Sequence, residues 1–225
     1  MATSYEDLLP NIIPMVPGCT DTLIISNIRS AVIELCERSE VYQKELDTFY
    51  TAAGIYDFDI DPPNGTAVEK ILSVIHSGRD LEPLTPALLE QRLPKWREST
   101  GTPEYFVKGD ANSIRLAPVP NAEEAVIVRA ILKPTHNSNS CDSTVMNDYR
   151  DTIINGALYR LLRIPSKEWT DYSGAGVYGT LFSEGITSAE RRARSADTGV
   201  ARKVTYGGLQ AQRRYRGYRT PRHRH

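Results

Sequence analysis

At 225 residues, 40% hydrophobic and 24% charged, the chain has the composition of a water-soluble globular protein with room for one large domain or two small ones. No apolar run approaches the ~20 residues that span a bilayer, and Glu6, Asp7, Pro10 and Pro14 break the pattern of a secretory signal, so membrane insertion and export are excluded on sequence grounds. The formal charge of −1 conceals a segregation: residues 198–225 hold eight Lys and Arg and no acid, which leaves 19 Lys and Arg against 28 Asp and Glu in residues 1–197.

In chain order, the first regular element follows the turn-rich Pro17-Gly18-Cys19-Thr20. Leu23, Ile24, Ile28, Ala31, Val32, Leu35 and Cys36 recur at three and four, which predicts an amphipathic helix capped by Thr20 or Asp21. From Val41 the period becomes two. Tyr42, Leu46, Thr48 and Tyr50, then Tyr56, Phe58 and Ile60, read as two strands before the stop Asp61-Pro62-Pro63-Asn64-Gly65. Ala67 to His76 reads as a third strand, and Thr85-Pro86 starts a short helix ending before Pro94. Glu104 to Lys108, Asn112 to Ala117 and Ala125 to Lys133 are three more strands.

The helical stride returns at Asp142-Ser143 and runs through Met146, Ile153, Ala157 and Leu161 to a stop before Pro165, and Ser166 is expected to cap a last helix through about Arg194. That helix contains Gly174, Gly176, Gly179 and Gly185, each costing about 1 kcal/mol relative to Ala in a helix interior. Close packing on the preceding helix is the expected compensation. The resulting fold class is α+β: a helical bundle with an inserted small antiparallel β region and an extended C-terminal tail. The expected segments are 1–41, helical; 42–134, β-rich; 135–197, a helical pair completing the bundle; and 198–225, the basic tail.

Few residues suggest chemistry. Cys19, Cys36 and Cys141 are odd in number and lack a C-x-x-C pair, so they read as buried thiols rather than a disulfide framework or zinc site. Gly174-Ala175-Gly176-Val177-Tyr178-Gly179 spells the dinucleotide fingerprint, but a polar stretch precedes it where the fingerprint needs a buried strand. His76 and His136 stand alone, and Asp57-Phe58-Asp59-Ile60-Asp61 lacks the glycine and final glutamate of a calcium loop, reading instead as the solvent parity of a strand. No catalytic, cofactor or metal site is expected. The tail is a partner-docking segment: Arg213, Arg214, Tyr215, Arg216, Tyr218, Arg219, Arg222 and Arg224 combine charge and rings suited to carboxylates on a protein or, in the alternative reading, to nucleic acid.

One ordered series of words carries a family likeness. It runs Leu81-Glu-Pro83, Leu93-Pro94-Lys-Trp96, Gly101-Thr-Pro103-Glu-Tyr105-Phe106, Ile114-Arg-Leu116-Ala-Pro118-Val-Pro120 and Leu132-Lys-Pro134, then Tyr149 to Gly156-Ala157-Leu158, Trp169, Tyr178, Phe182-Ser-Glu-Gly185-Ile186 and Ala189. The series resembles the head-to-tail adaptor, or head completion, proteins of tailed bacteriophages. That resemblance implies a non-enzymatic virion protein of the neck, assembled in the bacterial cytoplasm as a homo-oligomeric ring, a dodecamer, beneath the portal. The implied partners are the portal protein, tail or nozzle proteins and, in passing, genomic DNA, with no membrane. Pro94, Trp96, Pro103, Tyr105, Pro118, Pro134, Gly156, Ala157, Trp169, Phe182 and Gly185 are the implied structural positions.

Overall fold

The computed structural model describes residues 2–110 and 112–195. The chain opens with strand β1 (Ala2–Ser4), a 3-10 turn Tyr5–Leu8, the one-turn α1 (Leu9–Ile12) and a second 3-10 turn, Ile13–Met15. Helix α2 (Asp21–Ser39) buries Ile24, Ile28, Ala31, Val32, Leu35 and Cys36, as the spacing predicts. It ends where Glu40 turns into the left-handed region at φ 56° and returns its amide to the Cys36 carbonyl at 3.1 Å.

The β region follows as β2 (Gln43–Glu45), β3 (Phe49–Tyr50), β4 (Asp57–Asp59), β5 (Thr66–His76), β6 (Arg79–Asp80) and β7 (Glu82–Pro83). Helix α3 (Pro86–Arg92) starts at Thr85, whose hydroxyl accepts from the Leu88 amide. Then come β8 (Thr100–Gly101), β9 (Tyr105–Lys108), β10 (Ser113–Ala117), β11 (Val119–Pro120), β12 (Ala125–Pro134) and β13 (Ser140–Asp142). Three helices close the described chain: α4 (Ser143–Asp148), α5 (Arg150–Leu161) and α6 (Tyr172–Ser195).

A helical bundle with a small β insert is not what forms. The described chain is 41% helix and 27% strand, and its strands build several sheets. In the largest, β12 is central: β5 runs antiparallel along one edge and continues to β6, while β2 and β3 share the other. A second sheet has the order β4-β10-β9-β7, with β7 parallel to β9, and the short pairs β1-β13 and β8-β11 complete the set. The expectation fails because strand period reports only that a strand exists. Partners such as β5 and β12, some 50 residues apart, leave no local mark, so the extent of the sheets is invisible to it.

Strand β5 explains how the two large sheets meet. It matches β12 from Pro134 to Val126, but Glu69 and Leu72 have no counterpart, and each is the extra residue of a bulge that bends the strand. Near Glu69 the bent backbone is taken up from the second sheet: Lys108 Nζ donates to the carbonyls of Val68 (3.2 Å) and Glu69 (2.6 Å), and the Val68 amide donates to Asn112 Oδ1 (3.3 Å). Helix α2 packs on β12 and also on α5 and α6. One continuous apolar core therefore runs from Tyr5 and Leu8 through α2, Val74, Val128 and Leu132 of the first sheet and Leu116 of the second to Ile153 and Phe182 of the last helices.

Candidate assembly site

The positions singled out in the sequence gather in two places. The first is a small apolar cluster apart from the main core, built by the α3–β10 segment: Leu89, Trp96, Val107 and Ala117, with Tyr56 and Tyr105 against it. The Trp96 indole meets the Tyr56 ring edge-on at 5.2 Å, with the Arg97 guanidinium 4.5 Å above it and Arg92 5.8 Å from the Tyr105 ring. Pro103 is buried beside this segment, and Pro118, reached through a cis bond from Ala117, lies against Gly101.

The second place is the α5–α6 contact, where Gly179 and Gly185 pack on the preceding helix as expected, whereas Gly174 meets the loop residue Asp171 and Gly176 meets no described residue within 4 Å. A Cβ on Gly156 would lie 2.6 Å from the Phe182 ring and 2.9 Å from Ala31, so Gly156 lets α2, α5 and α6 meet; Ala157 is fully buried beside it. Gly179 faces Tyr159 in the same way, and Gly185 faces Thr152. Arg160 ties the three helices: it bonds Glu34 of α2, donates to the Gly156 carbonyl at 2.6 Å and covers the Phe182 ring at 5.3 Å. Nothing in the periodicity marks this arginine.

Pro94, Pro134 and Trp169 join neither group. Pro94 is exposed after α3, Pro134 is buried at the end of β12, and Trp169 is half-buried in the α5–α6 loop near Gly18. Helix α6 begins five residues later than Ser166 suggests, because Asp171 is its cap: its carboxylate accepts the amides of Ser173 and Gly174, each at 3.0 Å. That arrangement disposes of the dinucleotide fingerprint. Its glycines lie inside a helix preceded by a loop, and the amides an anion would use are already bonded.

Among the described residues no group of three or more His, Cys, Asp or Glu is placed to hold a metal, and no helix is long and apolar enough to cross a membrane. Asp57 and Asp59 lie on the solvent side of β4 around a half-buried Phe58, and Arg115, bonded to Asp57 at 3.0 Å, has its pKa raised by that contact. Lys133 spans α2 and β5 by reaching Glu37 and Glu69, both at 2.7 Å, and those bonds raise its pKa. Cys36 and Cys141 are buried side by side, and the neighbouring thiol, then burial, pushes the Cys36 pKa well up, so it is an inert thiol.

What remains open to a partner is surface. The tyrosines divide: Tyr42 is in the core and Tyr56 and Tyr105 support the small cluster, whereas Tyr50 is 62% exposed. A groove of about 320 Å³ between β2 and the Asp61–Asn64 turn is lined by Glu45, Asp47 and Asp61. The tail residues Arg213, Arg214, Tyr215, Arg216, Tyr218, Arg219, Arg222 and Arg224 lie outside the described residues.

A family model described as SU10 adaptor protein matches residues 3–204, which covers both glycine-paired helices and the whole β region. The chain belongs to the SU10 adaptor protein family. This is a family of phage head-to-tail adaptors, a structural class rather than an enzyme class. No curated protein matches the chain. Among the adaptor's described residues, polar contacts such as those of Lys133 and Arg160 tie element to element, and the glycine positions let helices touch.

Proposed function

We propose that this adaptor forms a ring beneath the portal in the virion neck, extends the DNA channel and offers a platform to the tail, with residues 198–225 docking on the portal. The observation that carries the reading is the family match over residues 3–204, joined to the charge segregation in the sequence. An acidic body repels passing phosphate, whereas eight cations with interleaved tyrosines suit bidentate contact with carboxylates on a protein partner. Assembly of the chain occurs in the host cytoplasm before incorporation at the capsid vertex.

Removal of residues 198–225 tests this reading. The truncated chain is expected to keep the wild-type thermal transition and to lose retention on immobilised portal, with wild type retained. Equal retention of both would overturn the docking role. Tail-dependent binding to free duplex DNA, falling steeply with salt, would favour the nucleic-acid alternative instead.

A further inference from the structure

The largest sheet ends at β2, which pairs with β12 and with no other described strand. The Leu46 amide and the Tyr42 carbonyl bond Val128 and Leu132 of β12, each at 2.8 Å, so alternation turns the amide and carbonyl of Glu45 away from the sheet, where no described residue bonds them. Such an edge is a template for one more strand, and its charged side chains decide which strand it accepts. The groove of about 320 Å³ alongside β2 is lined by Glu45, Asp47 and Asp61 together with Lys44, which leaves it acidic after its own cation is counted.

Residues 196–199 separate the end of α6 from a run of matching character. Val200-Ala-Arg-Lys-Val-Thr-Tyr206 is rich in strand-forming residues and carries two cations and no acid. Asp197-Thr198-Gly199 before it and Gly207-Gly208 after it are the punctuation of a turn and a stop. The family match continues past α6 to residue 204 and ends before the arginine-rich stretch, which groups most of this run with the body. Position agrees. Ala193 of α6 lines one groove of about 240 Å³ with Val41 and Gln43, where β2 begins, and the five Cα steps from Ser195 to Val200 cover up to about 17 Å. Helix α6 therefore delivers the run to the edge of β2.

We infer that residues 200–206 add as a strand to the outer edge of β2 in the same chain. They exchange backbone hydrogen bonds with Glu45 and bring Arg202 and Lys203 to the acids of the groove. The portal reading is not needed for this contact, and Arg213 to Arg224, beyond the Gly207-Gly208 stop, stay available to that partner. A strand held at an edge through a short turn opens locally before the body melts, so its removal leaves the global transition in place.

Hydrogen exchange of the Glu45 amide, followed by NMR on the isolated protein, tests this. Four chains are compared: full length, a chain ending at Gly208, a chain ending at Gly199, and the full-length variant Val204→Pro with Thr205→Pro. Neighbouring strand residues alternate in direction, so one of the two prolines removes a bonding amide while both cations stay. Exchange is expected to be about tenfold slower in the full chain and in the chain ending at Gly208 than in the other two. Equal rates in all four, or protection that needs residues 209–225, would overturn the inference. Protection that fades on dilution would assign the strand to another copy and overturn it as well. Since no portal is present, each of these results leaves the portal reading to its own retention assay.

Discussion

At the scale of single residues, two glycines twenty positions apart carry opposite expectations. Gly156→Ala pushes a methyl into a buried ring and a neighbouring Cβ, at 2.6 and 2.9 Å, with both obstacles inside the core. Overpacking of this kind costs about 1–3 kcal/mol, and the better helix propensity of alanine offsets about 1 kcal/mol of it. Net destabilisation of about 1 kcal/mol is therefore expected, read as a lower urea midpoint at unchanged slope. Gly176→Ala meets nothing among the described residues, so it should raise the midpoint by a similar amount. A midpoint raised by both substitutions would show that the α5–α6 spacing does not depend on Gly156.

At the scale of elements, the N-terminus acts as a clamp. Strand β1 pairs antiparallel with β13, and the Tyr5 ring that follows is fully buried, its hydroxyl 3.0 Å from Ser138 Oγ. Ser138 also bonds the Thr135 carbonyl, so Tyr5→Phe strands no serine and should cost about 1 kcal/mol, whereas Tyr5→Ala removes the ring and should cost about 3–5 kcal/mol. Chemical denaturation of the two variants separates the hydroxyl from the ring. Nothing local announces this element: three residues carry too little period to read, and the partner lies more than 130 positions away. Helices α2 and α3 and strands β5, β9, β10 and β12 were legible because their own period or cap defines them. The start of α6 was not, since Ser166 and Asp171 are both acceptable caps and only the folded loop selects between them. The same limit hid the break at Tyr149 between α4 and α5, where the apolar stride continues without interruption. Of the candidate site, the tight glycines could be read from composition, whereas the outward orientation of Gly176 depends on the rotation of α6 about its axis.

At the scale of the whole molecule, the sheets and helices share one core, so a charge forced into any part of it is felt as global stability. His76 supplies such a charge. It ends β5 opposite Val126, is 2% exposed, and holds Nδ1 3.4 Å from Glu124 Oε2 while Nε2 has no hydrogen-bond partner among the described residues. Burial pushes its pKa below the ordinary 6.5, and the nearby Glu124 carboxylate opposes that shift without cancelling it. With the folded pKa depressed, the unfolded chain binds more protons between the two values, so stability rises with pH across that window. The contribution of neutral His76 is complete above 6.5 and is lost as the pH falls below it towards the folded value. Urea midpoints of wild type should therefore decline between pH 7.5 and pH 5.5, above the range where carboxylates of pKa about 4 are protonated. His76→Gln keeps a polar side chain near Glu124 and removes the titration, so its midpoint should be lower at pH 7.5 but flatter across the same range. A wild-type midpoint that stays level, or a variant that keeps the full slope, would place the acid sensitivity of this adaptor elsewhere than at the end of β5.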